Sequence, residues 1–90
     1  MYTRNVMIQN RTGLHARPAS EFIACASGFQ SDITLRLVGE EDEINAKSIL
    51  LLLSLGLGPG EEIAITAKGE DEQEAVDALV ALVESKFGEE

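Results

Sequence analysis

Apolar and polar positions alternate at the start of the chain, where Val6 and Ile8 are interleaved with Asn5, Met7 and Gln9, the period of a strand with one face buried. Asn10 to Gly13 then supply turn residues. Ala19, Phe22, Ile23 and Ala26 recur at helical spacing, which predicts a first helix over 16–27, with Gly28 where a left-handed C-terminal residue belongs. Ile33, Leu35 and Leu37 alternate with Thr34, Arg36 and Val38 as a second strand, and Gly39 ends it before the acidic run Glu40 to Glu43. A short third strand is expected near Ile44. Residues 48–55 hold five consecutive apolar side chains, Ile49 to Leu53. Leucine favours helix, whereas a strand would more often use β-branched residues, so a short helix is predicted there. Gly56, Gly58, Pro59 and Gly60 break the chain before a last strand in which Ile63, Ile65 and Ala67 alternate with Glu62, Ala64 and Thr66. Asp71 and Glu74 have the spacing of a capping box, and Val76, Leu79, Val80, Val83 and Phe87 form the apolar stripe of a final helix.

The resulting order, β-α-β-β-α-β-α, predicts an α+β fold: a four-stranded antiparallel sheet with three helices on one face, an open-faced β-sandwich in a single domain over 1–90. Such a layout hosts many unrelated activities, so function has to come from a site.

Pro18 is tolerated only in an opening helical turn, which starts the first helix at about Ala16 or Arg17 and leaves His15 at its N-terminus. Backbone N–H groups of Ala16 and Arg17 and the positive end of the helix dipole then favour an anion over an imidazolium at this point. A neutral imidazole is the form with a lone pair to attack phosphorus, and the Arg17 guanidinium suits the resulting phosphoryl group. Little else is required, because phosphoryl transfer depends mainly on positioning and charge stabilisation. Taken alone, these residues also fit a histidine that merely sits at a helix end.

Charge narrows the partners. Sixteen acidic residues against seven basic ones give −9, which would repel nucleic acid and anionic membranes. Arg4, Arg11 and Arg17 nevertheless fall in the first seventeen positions, a bias towards an anion site near the only histidine. Cys25 is alone, so no internal disulfide can form and a reducing cytoplasm fits; beside the helix stripe it reads as a half-buried packing residue. No apolar run is long enough for a signal peptide or membrane span. The glycines at 56, 58 and 60 lack the lysine and Ser/Thr of a phosphate loop, and Glu40 to Glu43 has no neighbouring histidine, so neither a cofactor nor a metal is expected.

Four stretches carry a resemblance: Gly-Leu-His-Ala-Arg-Pro-Ala at 13–19, Asn-Ala-Lys-Ser-Ile at 45–49, Ser-Leu-Gly at 54–56 and Gly-Glu-Asp-Glu-Gln-Glu-Ala at 69–75. In these the chain resembles the HPr family of the bacterial phosphoenolpyruvate-dependent phosphotransferase system. The resemblance implies a carrier without a substrate pocket. His15 would be phosphorylated on Nδ1 by Enzyme I with help from Arg17, and an Enzyme IIA domain would receive the group for sugar uptake. Ser48 matches the position at which HPr kinase/phosphorylase modifies family members in carbon catabolite regulation, the modified form binding a transcriptional regulator. Serine there is equally a good unmodified N-cap.

A helix apolar on every side cannot bury all its residues against one sheet. A partner-docking patch is therefore expected from Ile49, Leu50 and Leu53 with Lys47, Ala16 and Ser20. The leucine-rich helix and the ending Phe87-Gly88-Glu89-Glu90 resemble the nitrogen-related branch of the family, while Lys47-Ser48 and Ser54-Leu55-Gly56 resemble the sugar branch. A monomer is expected, the exposed leucines being the surface through which a dimer would form. An acylphosphatase-like hydrolase using Arg17 is the enzyme alternative. A nucleic-acid binder is disfavoured by the charge and by the lack of an aromatic pair on the sheet.

Overall fold

The alternating segments assemble into a four-stranded sheet in the computed structural model, which describes residues 1–89. β1 (Tyr2–Met7) is followed by α1 (Ala16–Ser27), β2 (Asp32–Leu37), the two-residue β3 (Ile44–Asn45), α2 (Ile49–Ser54), β4 (Glu62–Lys68) and α3 (Glu72–Glu84). The sheet order is β1-β4-β2-β3 and each neighbouring pair is antiparallel. Its inner face sends Val6, Ile33, Leu35, Ile63 and Ile65 into a core that Phe22 of α1, Leu52 of α2 and Leu79 of α3 complete. The outer face is open and polar. Thr3 and Thr66, directly opposed in the β1–β4 register, share a 2.8 Å hydroxyl contact there. Ala64, a polar-phase position by the alternation, is buried all the same, because β4 is central and Asn5 and Arg36 flank it in register.

Three expected local features differ in the structure. Gly28 is right-handed (φ −77°, ψ −6°), not left-handed: its N–H reaches Cys25 O at 3.1 Å and Phe29 N follows to Ala26 O, so the helix tightens into its exit without reversing. The capping box at Asp71 and Glu74 does not form. Asp71 makes no side-chain cap bond; its carboxylate accepts from the N–H groups of Gln30 (2.8 Å) and Ser31 (2.9 Å) and from the Ser31 hydroxyl. Glu72 closes the helix start instead, accepting from Gly69 N–H at 3.1 Å and pairing with the N-terminal ammonium. Finally, α3 stops at Glu84. Phe87 is buried as its place in the stripe requires, but it lies in a separate turn, Lys86–Gly88, with a left-handed backbone (φ 53°).

The hydrogen bonds donated by Ser31 and Gln30 hold the Asp71 carboxyl below its ordinary value of 3.8. Folding therefore weakens proton binding at Asp71. The stabilisation is complete above the ordinary value and is lost as pH falls through the lowered one. Asp71→Asn is expected to lower the thermal midpoint at pH 7, and the gap to the unaltered chain should narrow steadily below pH 4, as measured by thermal melts across that range.

Candidate functional site

The end of β1 is lashed to the loop before β4, since Ile8 N–H donates to Glu61 O at 2.9 Å and Gly60 N–H donates to Ile8 O at 2.7 Å. The chain then turns through Asn10 to Gly13, and Gly13 adopts φ +67°. A Cβ at Gly13 would stand 2.4 Å from Leu57 O, so glycine is required by the close approach of the backbone as well as by its angle. Leu14, fully buried, anchors the turn, with its N–H on Leu57 O at 3.0 Å. The next residue is lifted clear of this anchor.

His15 is exposed, extended (φ −129°, ψ 160°) and at the N-cap of α1, and its side chain makes no cap hydrogen bond. Ala16 follows in a left-handed conformation (φ 53°), which costs a residue with a Cβ about 1–2 kcal/mol. The helix runs on from there with Pro18 buried in its opening turn, as the sequence indicates. Among the described residues the N–H groups of Ala16 and Arg17 have no backbone partner, as befits a helix start. An exposed imidazole thus stands at the head of a twelve-residue helix whose first donors are open.

Arg17 is half-exposed and held on three sides. Nη1 pairs with Glu21, one turn along α1, while Nη2 donates to the Phe87 carbonyl at 3.0 Å and lies 3.9 Å from Glu89 Oε2. Glu89 Oε1 in turn accepts from the Thr12 hydroxyl (2.8 Å), the Asn10 amide (3.1 Å) and Thr12 N–H (3.4 Å). These bonds from Asn10 and Thr12 hold the Glu89 carboxyl below the usual carboxylate range.

This C-terminal contribution is not legible in the sequence. Asn10 and Thr12 stand there only as turn residues and Glu89 as part of the ending that resembles the nitrogen-related branch, and helical periodicity gives no sign that the tail doubles back. Of the three early arginines, Arg4 belongs elsewhere: it shares Asp77 of α3 with the Tyr2 hydroxyl, tying β1 to that helix.

The expected docking residues share one region in part. Ala16 and Ser20 are exposed on α1, which packs against α2. On α2 only Leu52 is buried, while Ile49, Leu50, Leu51 and Leu53 are exposed, Leu50 by 77%. Leu51 therefore joins the face beside the expected Ile49, Leu50 and Leu53. Lys47 is half-buried, and its ammonium donates to Phe29 O at 2.8 Å inside the chain, so it presents less charge outward than expected. Ser48 is the N-cap of α2, its hydroxyl accepting from Leu51 N–H at 3.3 Å. Cys25 is half-buried as expected, and burial pushes its thiol up.

A model of the PTS HPr family, described as the PTS HPr component phosphorylation site, matches residues 2–85. The chain is 46% identical to phosphocarrier protein NPr of Proteus mirabilis, over 97% of this chain and 96% of the relative. It is 43% identical to the HPr-like protein Crh of Bacillus subtilis, over 96% of this chain and 99% of the relative. A crystal structure of HPr from Thermoanaerobacter tengcongensis superposes with a TM-score of 0.95 at 48% identity, covering 100% of this chain and 99% of that one. The β-α-β-β-α-β-α order, the open antiparallel sheet and three helices, and the match over nearly the whole length agree: this chain belongs to the HPr family of phosphocarrier proteins, which carry a group between partners and are not enzymes.

Proposed function

We propose that His15 is the phosphoryl acceptor and donor of this chain, taking the group from phospho-Enzyme I and passing it to Enzyme IIA domains in sugar uptake. The observation that carries this reading is the exposed His15 side chain, without a cap bond, standing at a helix start whose Ala16 and Arg17 N–H groups are open. In the transfer, the Nδ1 lone pair attacks phosphorus as the bond between phosphorus and the donor's phosphorylated group breaks, that group leaving with the electron pair. Arg17 exchanges its present acceptors for phosphoryl oxygens, and the helix-start N–H groups take the remaining charge. The reverse movement releases the group to the next partner. The chain supplies position and charge, and the partners supply the rest.

The apolar face of α2 with Ala16 and Ser20 is the docking surface in this reading, because a carrier has to show each partner the same side. It works as a monomer, since every transfer needs that face free. We place the carrier in the cytoplasm; among the described residues no helix is long and apolar enough to cross a membrane, and the charge of −9 disfavours nucleic-acid partners. Leu50→Asp should leave stability within about 0.5 kcal/mol, because the side chain is mostly exposed. The same substitution should raise the KM for phospho-Enzyme I by roughly tenfold, the ratio that 1.4 kcal/mol represents. Steady-state transfer and urea unfolding on the same variant check both halves.

The test of the reading is incubation with Enzyme I, Mg²⁺ and phosphoenolpyruvate followed by intact mass. A gain of one phosphoryl group that acid removes is the expected result. No gain with a competent Enzyme I would overturn the sugar-branch assignment.

A second reading rests on α2. Its leucine face and the likeness to NPr and Crh favour a regulatory role, either in the nitrogen branch or through phosphorylated Ser48. A phosphate on Ser48 would set a charge of roughly −1.5 to −2 at the start of the docking helix. Modification by HPr kinase/phosphorylase that persists in His15→Ala, with capture of a transcriptional regulator by the modified form, would establish it.

A further inference from the structure

The exposed face of α2 offers a partner little charge. Ile49, Leu50, Leu51 and Leu53 are apolar, and the two cations nearest to that face are committed inside the chain: Arg17 pairs with Glu21, and the Lys47 ammonium donates to Phe29 O at 2.8 Å. Apolar contact can cover such a face but cannot by itself choose partners by charge. Charge enters at one end of the helix.

A cleft of about 270 Å³ opens there, between the C-terminal end of α2 and the turn that joins β2 to β3. It is lined by Leu37 and Leu55, both half-buried and packed against the core, and by the exposed acids Glu40 and Asp42. Among the described residues no hydrogen bond or ion pair engages the carboxylate of either acid. Arg36, the cation closest to them in sequence, donates to the Glu40 carbonyl at 3.3 Å and so braces the turn while leaving both carboxylates free. This end of α2 is also the one that leads to the histidine. Two residues past Leu55, the Leu57 carbonyl accepts from Leu14 N–H, directly before His15.

We propose that this cleft seats a lysine or arginine side chain of the phosphoryl donor, at the edge of an otherwise apolar docking surface. The inference rests on α2 being the docking face. Lysine and arginine combine an aliphatic stem, which suits Leu37 and Leu55, with a cationic head, which suits Glu40 and Asp42. The cleft has room for one long side chain of that kind. An acidic side chain in the same place would meet two carboxylates with no compensating cation, on a chain already at −9. The cleft therefore supplies the charge preference that the leucine face lacks: it draws in a donor with a basic residue at this edge and turns away one with an acidic residue there.

The experiment is steady-state transfer from phospho-Enzyme I to the full chain, comparing the unaltered protein with Glu40→Gln/Asp42→Asn. Glu70→Gln/Glu74→Gln, an equal change of charge at the start of α3, is the control. At about 0.02 M salt the cleft variant should show a KM roughly fivefold higher with kcat unchanged, the size expected for losing two exposed charge contacts, while the control stays within about twofold. At about 0.5 M salt, where such contacts are screened, the cleft variant and the unaltered chain should agree within about twofold. Urea midpoints should coincide, because neither carboxylate has a partner to lose. An unchanged or lower KM in the cleft variant, or an equal rise in the control, overturns the proposal. Leu50→Asp, run alongside, separates the readings: a raised KM there with an unchanged cleft variant removes the cleft and keeps the docking face, and an unchanged KM in both removes the two together. A chain that accepts no phosphoryl group from Enzyme I overturns the donor contact along with the sugar-branch reading.

Discussion

His15→Ala will take up no phosphoryl group from phospho-Enzyme I, and Arg17→Ala will take it up roughly 100-fold more slowly than the unaltered chain, the usual effect of removing one preorganised charge-stabilising donor. Both losses should come without loss of fold. His15 is exposed and makes no cap bond, so its removal leaves no buried group unpaired. Arg17 is half-exposed, and an exposed pair such as that with Glu21 contributes about 0–1 kcal/mol. Arg17→Lys restores charge without the planar fork and should fall between, slowed about tenfold. Rapid-quench transfer measurements, with circular dichroism on each variant, read the two effects apart. A phosphorylated His15→Ala would move the acceptor to another residue. An Arg17→Ala variant as fast as the unaltered chain would reduce that arginine to a surface ion pair.

How much of this was legible in the chain depends on how local each cause is. The strands follow from the alternation at Val6, Ile33–Leu37 and Ile63–Ala67, and the short α2 follows from leucine's preference, because near neighbours decide both. The exposure of Ile49, Leu50 and Leu53 follows from geometry, since a helix apolar all round has more surface than one sheet can cover. His15 at the head of α1 follows from Pro18, which fixes where a helix can open. What the pattern leaves out is decided by residues far along the chain. Asp71 satisfies Gln30 and Ser31, some forty positions away, in preference to its own helix start. Phe87 obeys the helical period as a buried side chain while its backbone leaves the helix, because periodicity reports which side chains are buried and not the path between them. Glu89 meets Thr12 and Asn10 only because that turn folds the tail back over the site.

Gly13→Ala tests whether the loop's approach to Leu57 and Gly58 is what holds His15 in place. Two separate costs fall on that one methyl group. The left-handed angle (φ +67°) costs about 1–2 kcal/mol with a Cβ present, and forced overpacking adds about 1–3 kcal/mol. The obstructing atoms are backbone, with Leu57 O at 2.4 Å and Gly58 Cα at 2.8 Å, so no side-chain rotation can relieve them. Leu57 O is also the acceptor for Leu14 N–H, and any displacement of the loop loosens the buried leucine directly before His15. A loss of about 3 kcal/mol in urea unfolding is expected, with slower phosphoryl uptake in the fraction that remains folded. Gly56→Ala is the internal control. It has a similar angle (φ +60°) and nothing within 4 Å of the added methyl, so it should lose only about 1 kcal/mol and leave uptake intact. The gap of about 2 kcal/mol between the two variants is the clash alone. If both unfold at the same urea concentration and transfer at the same rate, contact with the 57–58 backbone is not what positions the histidine, and the buried anchor at Leu14 has to carry that role alone.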